Sequence, residues 1–157
     1  MKIGSVKGNK VAEVDDDALM FGEGVPFGDP SWYQAFNSPF YSDSHRKLRS
    51  FMRSFVDNEL MPYCHEWDES GDFVPRSVFQ RCGEIGILTA GMPLEFTVTV
   101  CGAPWPKELT TIKPPGGVDP LEFDSFHEFI VKDELSRAAS GGTLWGLMGG
   151  HTVSQVI

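Results

Sequence analysis

The stretch SDSHRKLRSFMRSFVDNEL, residues 42–60, most restricts what this chain can fold into. Leu48, Phe51, Met52, Phe55, Val56 and Leu60 recur at i, i+3, i+4 spacing, while Arg46, Lys47, Arg49, Arg53 and Asp57 fall elsewhere around the helix. Any of Ser42, Asp43 and Ser44 can cap the first turn, because a short side-chain oxygen there accepts an otherwise unsatisfied N–H. A helix this one-sided is stable only when other elements cover its apolar stripe.

The rest of the chain supplies them as helices. Pro62 is expected to kink or end the first helix, yet Tyr63, Cys64, Glu66, Trp67 and Asp68 carry it another turn or two, to Ser70-Gly71. A second helix opens at Pro75 and runs through Val78, Phe79, Cys82 and Ile85 to a break near Gly86. Asp119-Pro120-Leu121-Glu122 reads as the cap of a third, with Phe126, Phe129, Ile130 and Leu135 on one face. A fourth begins near Thr143, where Leu144, Leu147, Met148 and His151 recur at helical spacing. Between Leu88 and Val118 the residues suggest a long loop holding a short extended piece, EFTVTV at 95–100. Residues 1–41 carry clustered glycine, proline and aromatics without period, as in an irregular arm lying on a neighbour. The expected architecture is all-α: an antiparallel bundle of about four helices over 42–157, preceded by the irregular arm over 1–41.

Charge excludes some partners. Thirteen basic against twenty-two acidic residues leave a net −9, so counterion release and attraction to anionic lipid both oppose binding to nucleic acid or a membrane surface. Cys64, Cys82 and Cys101 are an odd set without C-x-x-C spacing and fit reduced thiols that pack. With no membrane-length apolar run and no leader pattern, the reading is a cytoplasmic protein, with mitochondrial or peroxisomal residence left open.

The motifs mostly fail as catalytic signatures. The glycine run from Gly141 has Leu147 where a phosphate loop needs Lys, and neither it nor Gly22-Glu23-Gly24 has the dinucleotide-binding spacing. His127-Glu128 lacks the second imidazole of a zinc helix, because position 131 is Val. Asp124-x-x-His127 is half of a di-metal pattern whose other half is missing, so His127 reads as a surface or cap-proximal histidine and no metal is expected. Cys64 and His65 point about 100° apart on a helix, which prevents a thiol–imidazole pair. Gly146, Gly149 and Gly150 strip side chains from one helix face and let a backbone or ligand approach closely.

From Ser42 onward the order of residues is similar to the N-terminal helical domain of the acyl-CoA dehydrogenases. HRKLRSFMRSFVDNELMPYCHEWDESGDFVPRSVFQRCGEIGIL (45–88) matches that family's opening helix with its internal proline, its E-W-[DE]-x-x-G turn and its second helix. FHEFIVKDELSRAASGGTLWGLMGGH (126–151) resembles its E-[EL]-x-R-x-x-G-G segment. The arm and the W-P-K-E loop near Trp105 resemble fungal members. The 94–118 stretch departs from the family's short loop, as an insertion or a faulty gene model would.

The resemblance implies a CH–CH oxidoreductase that uses FAD for α,β-dehydrogenation of an acyl-CoA thioester, as in fatty-acid β-oxidation, and that forms a homo-oligomer at full length. It also implies that flavin and catalytic glutamate belong to later domains absent from these residues. The chain is then the truncated front of a longer enzyme, inactive alone and binding no FAD by itself. No catalytic residue is assigned here. By resemblance, Leu144, Leu147, Met148 and His151 wall the acyl-chain pocket. The rival reading is a free-standing helical interaction module whose last helix docks on a partner.

Overall fold

The computed structural model describes residues 21–22, 28–34, 36–71, 74–91 and 112–149. Contacts divide the chain into two compact units, Met1–Pro39 and Phe40–Ile157. In the first, Ser31–Tyr33 form a 3-10 turn, and the Phe21 N–H donates to the Tyr33 carbonyl at 2.8 Å. The Tyr33 ring stands edge-on to Phe21 and Trp32, with centroids 5.2 and 4.9 Å away.

In the second unit, helix α1 spans Asp43–Phe55 and is capped by Ser42. Most of its expected stripe is the core: Leu48, Met52, Phe55, Val56 and Leu60 are buried, whereas Phe51 is half-buried and Arg49, expected elsewhere around the helix, is buried as well. The helix passes Pro62 without breaking. A proline lacks the N–H that would bond four residues back, and its ring crowds that carbonyl. Val56–Leu60 therefore widen into one π-helical turn, in which the Met61 N–H bonds the Val56 carbonyl. Helix α2, Met61–Ser70, follows directly and ends at left-handed Gly71.

Helix α3, Arg76–Glu84, starts after Pro75, which sits at the cap with ψ 141°. Gly86 (φ +83°) turns the chain into the short helix α4, Ile87–Ala90. Cys82 on α3 is fully buried, and burial first, with the Glu59 carboxylate adding to it, pushes its thiol up to about 12. Because the thiolate is the nucleophile, iodoacetamide at pH 8 should leave Cys82 unmodified in the native protein, by peptide mass mapping. Labelling at the rate of a free thiol would mean that this face of α3 is open.

The strand-like EFTVTV lies outside the described residues. After it, Pro115–Gly117 make a tight turn that lays Gly116 on α1, where an added Cβ would stand 3.2 Å from Leu48 Cα and Phe51 Cβ. The third long helix begins later than its sequence suggests. Asp119 caps only a turn, its Oδ1 accepting the Leu121 N–H at 2.8 Å. Phe123, 2% exposed, must first enter the core, and the helix α5, Ser125–Ser136, is capped by Asp124. Its inward face also differs from expectation. Ile130 and Leu135 are buried, but with His127, Val131 and Glu134, whereas Phe129 is 57% exposed and Phe126 stacks on Phe40 near the surface.

Helix α6, Gly141–Leu144, is capped by the Ser140 hydroxyl, which accepts the Thr143 N–H at 3.0 Å, so it starts slightly earlier than Thr143. It continues as a π-helical turn over Trp145–Gly149. Among the described residues the architecture is helical, without a strand. The α1–α5 pair runs parallel rather than antiparallel, since His45 meets Asp124 at one end and Arg53 meets Glu134 at the other. A parallel pair is possible because α2, α3 and α4 intervene, where a short loop would force antiparallel packing. No described helix is long and apolar enough to cross a membrane.

Candidate functional site

The last described helical segment places its candidate wall residues unequally. Leu147 and Met148 are buried at 2% and 9% exposure, and Leu144 is half-buried. Met148 lies against Gly91, where an added Cβ would meet its Cε at 2.8 Å and its Sδ at 3.1 Å. Glycine at 91 is thus what admits the thioether. His151 lies outside the described residues. The exposed side of the same segment carries Trp145, at 68% exposure.

Trp145 lines a groove of about 290 Å³ with Trp67, Val74, Phe79, Asp68 and Thr143. Gly146 brings the backbone up to Val74, with an added Cβ 3.3 Å from its Cγ2. The groove is mostly apolar with aromatic walls, as expected of a site for a hydrocarbon or ring rather than a charged group. One hydroxyl at its edge is unusual: Thr143 Oγ1 is buried and has no hydrogen-bond partner among the described residues.

A flavin does not fit these residues. Its diphosphate would need open backbone N–H donors at a glycine turn. At Gly141-Gly142 the Asp68 carboxylate occupies the space beside Gly142 and would repel such a group.

A second constellation joins the starts of α1 and α5. His45 Nε2 and His127 Nδ1 lie 3.0 and 2.8 Å from Asp124 Oδ1, and the two imidazoles stack with centroids 3.7 Å apart at 24°. His127 is cap-proximal, as its position after Asp124 suggests, but it is fully buried rather than on the surface. The sequence reading missed His45. Its signal was available, for His45 stands three residues after Ser42 as His127 stands three after Asp124.

Two histidines and a carboxylate resemble a metal ligand set, but the stacking argues otherwise. Imidazole lone pairs lie in the ring plane, and two nearly parallel planes cannot both contain one ion about 2.1 Å from each nitrogen. The cluster is a hydrogen-bonded joint. Hydrogen bonds from His45 and His127 hold the Asp124 carboxyl below its ordinary range, outweighing the upward push of burial. Burial, and then the neighbouring His45, lower the His127 pKa against the pull of Asp124.

A third cluster ties the far ends of the same helices. Glu134, fully buried, accepts two hydrogen bonds from Arg53, at 2.6 and 2.9 Å. Arg137 lies 3.6 Å from it and bonds Asp57 at 2.7 Å. A carboxylate so enclosed and doubly paired holds helices together and is not free to move protons.

The fold and these sites define an all-helical domain whose first helix passes through a proline and whose last described segment borders an aromatic groove. Residues 42–104 match the family model described as acyl-CoA dehydrogenase, N-terminal domain. Acyl-CoA dehydrogenase AFT10-1 of Alternaria alternata is 34% identical over 137 residues, covering 87% of this chain and 30% of the relative. Acyl-CoA dehydrogenase apdG of Emericella nidulans is 31% identical over 126 residues, covering 80% and 27%. The chain contains an acyl-CoA dehydrogenase N-terminal domain. It spans less than a third of the length of these relatives. No solved structure matches it significantly.

Proposed function

We propose that the helical domain, residues 42–157, walls the acyl-chain pocket of an enzyme that oxidises the α,β carbon–carbon bond of an acyl-CoA thioester, as in fatty-acid β-oxidation. The arm over 1–41 serves as a separate packing element. The observation that carries the reading is the family match combined with an apolar, aromatic-walled groove beside the segment Thr143–Gly146. Leu144, Leu147, Met148 and His151 set the depth of the pocket, Met148 by fixing the segment against Gly91. FAD, common in this family, is held by residues other than those described, as are the donors that acidify the α-proton. The acyl-CoA is the partner, in a homo-oligomer.

The test is acyl-CoA-dependent dye reduction by the protein purified from its native source, across acyl lengths, with flavin content measured alongside. Leu147→Trp should raise KM about tenfold for long acyl-CoAs and leave short ones near wild type, since one to three kcal/mol is what a pocket contact discriminates. An unchanged length profile removes the wall assignment. Intact native protein that carries no flavin and reduces no dye with any acyl-CoA removes the enzymatic reading.

A further inference from the structure

The starts of α1 and α5 share one polar joint that the proposed pocket does not use. Asp124 Oδ1 accepts the backbone N–H groups of Phe126 and His127 at 3.0 and 3.1 Å, which is ordinary capping. It also receives His45 Nε2 and His127 Nδ1, so four donors converge on one oxygen. On the α1 side, His45 Nδ1 accepts the Ser42 N–H at 3.0 Å and completes that helix's capping box.

These bonds assign the protons. His45 accepts at Nδ1, so its proton is on Nε2, facing Asp124. His127 Nδ1 is 3.2 Å from the Asp124 N–H but 2.8 Å from the carboxylate oxygen, and the shorter, charge-assisted contact places its proton there. His127 Nε2 then accepts from the Ser44 hydroxyl at 3.1 Å. In this arrangement each ring spends its second nitrogen as an acceptor.

A further proton has no good place. On His45 it would point at the Ser42 N–H and break the cap. On His127 it would charge a ring pressed between Phe123, 5.2 Å away, and His45, 3.7 Å away. Both rings lie at helix N-termini, whose dipoles repel cations. Among the described residues, the neighbouring polar groups have partners of their own. Tyr41 stands edge-on to His45, Asp43 pairs with Arg46, and Lys47 bonds the Gly117 carbonyl. Asp133 acts on Tyr41.

We propose that His45, Asp124 and His127 form an acid-released latch: neutral imidazoles clamp the two helix starts together near pH 7, and protonation lets them part. Release would loosen the aromatic cover that Phe40, Tyr41 and Phe126 make over the joint. For sign, His127 has a folded pKa below its ordinary 6.5, so its contribution is complete above that pH and is lost as pH falls through the folded value. Asp124, also lowered, loses its contribution only below its ordinary 3.8.

The experiment follows the Tm of the full chain from pH 7.5 to 5.0, with hydrogen exchange at the Phe126 and His127 amides. Wild type should lose roughly 3 °C or more, and the protection factors of these amides, referred to the intrinsic exchange rate at each pH, should fall about tenfold at pH 5. Glutamine at these positions can accept a cap N–H or donate to the Asp124 carboxylate without titrating, so His45→Gln/His127→Gln should flatten the Tm profile over this range. The same Tm loss in that variant overturns the latch. If the variant does not fold, imidazole NMR titration of the wild type decides. A His127 ring titrating below 6.5 supports the latch, and one titrating at or above 6.5 overturns it.

Discussion

Gly86→Ala is expected to destabilise the chain by about 3 kcal/mol, read as a lowered urea midpoint at unchanged m-value. Gly86 has φ +83°, where an L side chain is strained, and an added Cβ would drive far inside contact distance of the Lys113 carbonyl oxygen. That oxygen is backbone, so it cannot swing away as a side chain would. Relief would have to come from shifting the 112–118 segment, which itself lies on Leu48 and Phe51 through Gly116. The control is Gly83→Ala, three residues earlier on α3. There an added Cβ meets only Leu88 Cδ1 at 3.8 Å, an ordinary contact, and the substitution should gain up to about 1 kcal/mol of helix propensity. Equal effects of the two would show that the α3–α4 corner is not pinned by Lys113.

Glu134→Ala should cost a similar amount, about 3 kcal/mol, by a different route. Removing the carboxylate takes two charge-assisted hydrogen bonds from Arg53, whose side chain is only 18% exposed. The partial exposure of Arg53 places the loss at the low end for a broken buried pair, because water reaches part of the guanidinium. Arg137 keeps Asp57 and loses little. In a double-mutant cycle, Arg53→Met/Glu134→Leu should recover most of the stability, since apolar groups of similar size replace a buried pair at little net cost. A double variant as unstable as Glu134→Ala would mean that the pair specifies the α1–α5 register.

Much of the fold was legible because burial imposes a period. The α1 stripe is visible as letters at helical spacing, and all of it except half-buried Phe51 is core; Arg49, which hydropathy puts outside the stripe, is buried too. The passage through Pro62 was legible in outcome but not in means. No residue type marks a π-helical turn, which arises because Val56 and Leu60 must both stay inside while Pro62 withholds its N–H.

Where the reading and the structure part, local propensity lost to tertiary demand. Asp119-Pro120 is a good cap by type, but Phe123 has to be buried before a helix can start, so Asp124 takes the role. Phe126 and Phe129 look like core residues by hydrophobicity. The inner positions of α5 went to His127 and Glu134 instead, because each finds a polar partner on α1. Hydropathy cannot see a partner some eighty residues away.

The candidate wall divides in the same way. Leu147 and Met148 could be placed on one helical face from spacing alone, but that Met148 would sit on Gly91 depends on how α4 and the last segment meet. By itself the sequence determined the helical class, the family and the ends of most helices, since these depend on period, caps and residue order within short windows. Only the tertiary structure decided that α1 and α5 run parallel, with two histidines around one aspartate at one end and an arginine–glutamate pair at the other. The reason is that a polar group enters the interior only when its partner is already there, and partners are set by packing.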